Sequence, residues 1–251
     1  MKYIHNIRIK LLFLFIIIPF AISAQHKTGN IVEYFGKEKV EEITEGEVVH
    51  VFKKGLALKI PNFTFNSSSF PKDPVFSRFL MNNNYTVNAG EVFDINYSGE
   101  ELKWKEISVD TTNTFNDSGL RSSYVYLTYR SNSEKKLLFE ASGHSLLLIN
   151  GLPHEGDHYD FGYNLIPVHL KKGTNVFILK VGRFPRIRAR LLKTSNDIEF
   201  TSRDLTLPDL LVEENKNYNA AIRIINNTDN WIRNYTIQSE VNGSMIQSEV
   251  A

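Results

Sequence analysis

The stretch KLLFEASGHSLLLING, Lys136–Gly151, holds two apolar runs, Lys136–Ala141 and Ser145–Ile149, parted by Gly143 and closed by Asn150-Gly151. Runs of this length, bounded by turn residues, read as strands. Asn-Gly after an apolar run is a type I′ hairpin signal, because both central residues of that turn need φ > 0. Working outward, Tyr124–Tyr129, Leu165–Leu170, Asn175–Val181 and Arg186–Leu192 repeat the pattern, with Lys172-Gly173-Thr174-Asn175 as a second turn. Six strand-length runs in under ~100 residues, with no helical period between them, predict an all-β, antiparallel fold, a jelly roll or β-sandwich.

Upstream, Glu47–Ile60 reads as two short strands around Lys53-Lys54-Gly55, and Ile31–Ile43 as a short amphipathic helix. Pro61–Asn84, rich in Asn, Ser, Phe and Pro, reads as a loop whose Phe63, Phe65, Phe70, Phe76 and Phe79 pin it to a core. Downstream, Leu205–Leu211 bridges to Ala220–Ile225, Trp231–Gln238 and, after a turn at Asn242-Gly243, Ser244–Val250. About four strands fall short of the roughly seven of an immunoglobulin-like sandwich. The expected organisation is therefore a β-rich, irregular region over 25–103 packed on the sandwich, a jelly roll over 104–200, and a linker with the start of a second, truncated immunoglobulin-like sandwich over 201–251, the alternative being that these last strands complete the first domain.

Residues 1–24 have the layout of a secretory signal peptide, with Lys2, Arg8 and Lys10 before the apolar Leu11–Phe20 and a small-residue end at Ala24. That apolar run is well short of the ~20 residues of a spanning helix, so no membrane span is expected after cleavage. Cleavage takes the formal charge of +1 to about −2, which argues against nucleic acid as a partner. The chain has no cysteine, which excludes disulfides, thiolate metal sites and a Cys nucleophile. An exported chain of this kind fits the periplasm, outer surface or surroundings of a Gram-negative bacterium better than a eukaryotic secretory route.

The chemistry-bearing residues crowd into HEGDHYD, where His154, Glu155, Asp157, His158 and Asp160 share seven positions. Two histidines four apart would share a metal on a helix. Here Gly156 interrupts the motif and an Asn-Gly turn precedes it, so the segment reads as a polar loop and no metal is assigned. A hydrolase centred on this loop is the alternative reading, and a purely structural surface protein a further one. As a ligand site the loop offers Asn150, His154, Glu155, Asp157, His158 and Asp160 as hydrogen-bonding groups, with Tyr159, Phe161 and Tyr163 as rings that could stack on a sugar. Gly143-His144-Ser145 lacks the final glycine and the strand-to-helix context of a nucleophile elbow, so no catalytic residue and no cofactor are assigned.

Between Lys180 and Lys193 lie Arg183, Arg186, Arg188 and Arg190 with no acid among them. Strand alternation puts Arg186, Arg188 and Arg190 on one face, suited to an anionic ligand such as a sulfated or uronate glycan, to carboxylates of a neighbouring domain, or to ordinary salt bridges.

The succession WKEISVD (Trp104–Asp110), LLFEASGHSLLLING (Leu137–Gly151), GDHY (Gly156–Tyr159) and PVHLKKGTNVFILKV (Pro167–Val181) resembles galactose-binding-like jelly-roll modules. TLPD (Thr206–Asp209) with AAIRIINNT (Ala220–Thr228) is similar to the link into a second sandwich in large secreted hydrolases. The resemblance implies a non-catalytic accessory module at the front of a glycosidase or α/β-hydrolase-type enzyme, with a glycan or the C-terminal catalytic domain as its partner.

Overall fold

The computed structural model describes residues 46–60, 73–82, 86–96, 98–206, 219–233, 235–241 and 244–250. The expected signal peptide, the helix over Ile31–Ile43, and Phe63, Phe65 and Phe70 lie outside them. Every described element belongs to one unit, Glu45–Ala251.

The opening stretch forms β8 (Lys135–Ser142) and β9 (His144–Ile149), which lie in different sheets. Gly143 is where the chain crosses, with φ +82°; a Cβ there would come 2.0 Å from the Arg186 carbonyl oxygen. Only glycine meets both conditions. The first sheet runs β1 (Val48–Val51), β13 (Arg186–Leu192), β8, β11 (Asn164–Leu170), and β6 (Phe115–Asn116) also pairs with β13. The second runs β10 (Leu152–His154), β9, β12 (Gly173–Val181), β7 (Ser123–Ser131), β2 (Lys54–Lys59), β5 (Lys105–Ser108). All these pairings are antiparallel. The chain is thus an all-β sandwich.

Alternation builds the core. Leu137, Phe139 and Ala141 of β8 and Ile187, Ala189 and Leu191 of β13 face Leu147 and Ile149 of β9, Val125 and Leu127 of β7, and Phe177 and Leu179 of β12 in one buried cluster. Phe139 stacks on Phe177 with centroids 4.7 Å apart. Burying a side chain of this size contributes roughly 1.5–3 kcal/mol, so this interdigitated layer holds the sheets together.

The second sheet is covered on its other face too. Tyr124, Tyr126, Leu148, Val176 and Ile178 pack there against Val75, Phe76 and Phe79 of a helix, α1 (Pro74–Met81), and against Phe93 and Trp104. This corrects the reading of Pro61–Asn84 as loop throughout. Phe76 and Phe79 do reach a core, but from a helix whose start is written in Asp73-Pro74. The Asp73 carboxylate accepts the amides of Val75 and Phe76 at 3.0 and 3.1 Å, and Pro74 sits where no amide is needed. Phe93 lies on β3 (Val92–Ile95), which pairs with β4 (Glu101–Lys103).

On the free side of the first sheet, β14 (Ile198–Thr206) pairs with β15 (Ala221–Asn226), and Ile225 packs with Leu138, Leu192 and Leu165. β16 (Tyr235–Val241) and β17 (Ser244–Val250) pair antiparallel, and the turn expected at Asn242-Gly243 lies outside the described residues. No described helix is long and apolar enough to cross a membrane.

A cleft between the polar loop and the arginine face

The Asn150-Gly151 turn has the expected positive φ values, +50° and +84°. Asn150 is a turn holder: its Oδ1 accepts the Val176 amide at 3.0 Å and its Nδ2 donates to Asn175 Oδ1 at 2.9 Å. The buried Asn175 in turn accepts from the Lys171 amide and donates to the Lys171 carbonyl, so the two predicted turns are tied side by side.

His154 closes the short strand β10, opposite Leu147, and the loop proper begins at Glu155. Gly156 lies so close to β9 that a Cβ would sit 2.2 Å from the Ser145 carbonyl oxygen. Asp157, 5% exposed, organises the rest of the loop. Its Oδ1 accepts the Phe161 amide at 2.9 Å and its Oδ2 the Gly162 amide at 2.6 Å, while its carbonyl accepts from Gly143 and Asp160. Carboxylate bonds to backbone amides are among the stronger ones, so the loop is a built structure.

The remaining predicted loop residues diverge. Glu155 is exposed and pairs with Arg223 on β15, Nη1 to Oε1 at 3.2 Å. The His158 carbonyl accepts the Arg183 amide, and its ring meets the edge of Tyr159. Desolvation holds His154 below the usual histidine range, opposed by Glu155; His158 is lowered by desolvation and by the Arg183 charge. Both shifts favour the neutral imidazole. Among the described residues no three of His, Asp and Glu gather where they could hold a metal ion. Ser145 lies within strand β9, its hydroxyl donating to the Lys180 carbonyl at 3.4 Å.

Asp160 instead turns toward the arginine face. With φ +59°, it aims a carboxylate that is 3% exposed at Arg186 and Arg188, the latter 3.3 Å away. On that face β13 and β8 run in register, Arg188 opposite Ser142 and Arg190 opposite Glu140. Arg190 grips Glu140 through two bonds of 2.8 and 2.9 Å, and Arg203 of β14 reaches the same carboxylate at 2.7 Å. The other cations of the run lie elsewhere: Lys180 pairs with Asp73 on the far side of the second sheet, and Arg183 sits over the Tyr159 ring.

The loop and the face therefore meet, around a cleft of about 450 Å³. Arg188, Arg190 and Arg203 reach into it beside Glu140 and Ser142, and Phe161 and Gly162 bring the loop to its wall. Among the described residues, this face sets four guanidiniums, with Arg186, against two carboxylates. Tyr159, Phe161 and Tyr163, all exposed, form a ladder along the loop, centroids 5.8 and 5.2 Å apart. Because Phe161 is flanked by both tyrosines, the ladder presents a continuous apolar wall.

Glu140 and Arg203 complete a site that neither the loop nor the arginine strand reveals alone. Glu140 carried one signal, as the lone acid in an apolar strand. Beneath the loop, His144 is fully buried, with the Asn164 amide 3.4 Å from its Nε2 and no aligned partner at Nδ1. Desolvation pushes its pKa down to about 4, against the opposing pull of Asp157 and the carbonyls of Glu155 and Ser142.

No protein-family model, curated protein or solved structure matches the chain.

Proposed function

We propose that this chain is an exported, non-catalytic binding module of the galactose-binding-like kind, an accessory part of a larger secreted hydrolase, and that it takes a glycan in the cleft between loop and arginine face. The observation that carries the reading is the convergence of two polar features, separate in the sequence, onto one concavity with Phe161 of the aromatic ladder at its wall. Its volume lies in the ~300–1,000 Å³ range of small-ligand pockets, which favours one or two sugar units over a protein surface. Guanidiniums and carboxylates fixed by their own ion pairs are suited to hydrogen-bond hydroxyls without first being ordered. The signal-like leader and the absence of cysteine support export.

The exposed ladder also favours a second reading, in which Tyr159, Phe161 and Tyr163 pack against a catalytic domain and the cleft shapes its entrance. Titration calorimetry of the folded protein against neutral and acidic oligosaccharides separates the two. Saturable heat, lost on replacing Phe161 and Arg188 together, is the expected result. A folded protein that binds no saccharide overturns the glycan reading.

A further inference from the structure

Resting on that reading, we infer that the ligand is an acidic saccharide, whose carboxylate or sulfate group is held by Arg188. The charge balance comes first. Each carboxylate of the face is already shared, Asp160 by Arg186 and Arg188, Glu140 by Arg190 and Arg203. Among the described residues, three guanidiniums, Arg188, Arg190 and Arg203, line the concavity with a single carboxylate, Glu140. A guanidinium has five N–H donors, and Arg188 gives one to Ser142 Oγ and one to Asp160 Oδ1. An oxyanion supplies further acceptors; a neutral sugar hydroxyl does so with neither charge nor fork geometry.

Arg188 is the group placed to respond. It lines the cleft, and its side chain is 55% exposed, against 29% for Arg190 and 17% for Arg203. Its bonds to Ser142 Oγ and Asp160 Oδ1 are both 3.3 Å, whereas Arg190 holds Glu140 at 2.8 and 2.9 Å. Turning Arg188 to an incoming anion gives up two long contacts, and Asp160 keeps Arg186. Arg190 and Arg203 stay in place and supply the surrounding positive field. Phe161 then lies beside the ring that carries the anionic group.

The test is calorimetric titration of the full chain, and of Arg188→Ala and Arg188→Lys, with a uronate tetrasaccharide, a sulfated tetrasaccharide, a neutral tetrasaccharide and inorganic sulfate. Arg188 is exposed, so both variants should fold; circular dichroism checks this. The expected result is binding of at least one acidic saccharide over tenfold tighter than the neutral one, weakened at least tenfold in Arg188→Ala, partly restored in Arg188→Lys, and reduced by added salt. The uronate and sulfate arms identify the oxyanion. Equal binding of neutral and acidic sugars, untouched by Arg188→Ala, overturns the inference and leaves the glycan reading standing. Binding of inorganic sulfate as tight as that of the saccharides overturns it as a bare anion site. No binding in any arm overturns both.

Discussion

Asp73 and Lys180, 107 residues apart in the chain, form a 2.9 Å ion pair where α1 meets the second sheet. The same carboxylate caps the helix and accepts the Tyr124 hydroxyl at 2.5 Å, and it is wholly buried. Burial, then the Asp73 bond and charge, push the Tyr124 phenol up, so it stays a donor. Removing one partner of a buried pair strands the other, at ~3–5 kcal/mol. Asp73→Ala should therefore cost at least ~3 kcal/mol in urea unfolding, since it removes pair and cap together. Tyr124→Phe removes one hydrogen bond and should cost about 1–3 kcal/mol. Equal losses in the two variants would contradict this ranking.

His144 makes stability depend on pH. Its folded pKa is depressed from 6.5 to about 4, so between those values the unfolded chain binds a proton that the folded chain does not. Stability is then complete above pH 6.5 and falls as pH drops toward 4, by ~3 kcal/mol for a shift of this size. His50, His154 and His158 are lowered as well and act in the same direction. The diagnostic quantity is thus the difference between wild type and His144→Gln. Chemical unfolding between pH 7.5 and 4.5 should give a shallower slope in the variant; identical slopes would mean that His144 does not set the pH dependence.

Asp157 gives the loop its shape, so Asp157→Ala should open the loop before it unfolds the sandwich. The variant leaves the amides of Phe161 and Gly162 without their acceptor, at about 1–3 kcal/mol if they stay buried. Hydrogen exchange at residues 157–163 should speed up strongly while the β7 and β12 amides keep their protection. Uniform acceleration would mean that Asp157 supports the whole fold.

How much of this was written in the sequence depends on the range of each interaction. The strands from Tyr124 to Leu192 were legible because alternation and turn residues are local, and Arg186, Arg188 and Arg190 share a face by the same period of two. The sheet to which each strand belongs was not: β8 and β9 are neighbours in sequence and separate at Gly143, where the backbone of Arg186 approaches from a distant part of the chain. Glu140 gained its meaning only through Arg190 and Arg203, 50 and 63 residues later. α1 was legible in Asp73-Pro74 but is short, and a helix of eight residues is marginal without the buried contacts that hold it.

Arg223 acts on the cleft from outside. It pairs with Glu155 and donates to the Tyr163 carbonyl at 3.0 Å, while Arg203 donates to the Gly162 carbonyl at 3.2 Å. Both arginines come from the β14–β15 pair, which therefore clamps the loop. Arg223→Ala should leave global stability within about 1 kcal/mol, as for a partly exposed pair, yet raise hydrogen exchange at residues 160–163 and weaken saccharide binding several-fold. A variant with unchanged loop exchange would show the clamp to be incidental.

Glu140 sets stability against binding. Glu140→Gln keeps the shape of the side chain and removes the charge shared by Arg190 and Arg203. Charged hydrogen bonds are worth about 1.5–3 kcal/mol against about 1 for neutral ones, so the fold should lose roughly 1–3 kcal/mol. The net charge of the cleft lining rises by one at the same time. Affinity for an acidic saccharide should then increase several-fold at low salt and return toward the wild-type value as ionic strength screens the added charge. A neutral saccharide should gain nothing, which distinguishes electrostatic gain from a widened cleft. If acidic and neutral ligands change together, the effect is one of shape, and Glu140 is a packing residue of the cleft wall.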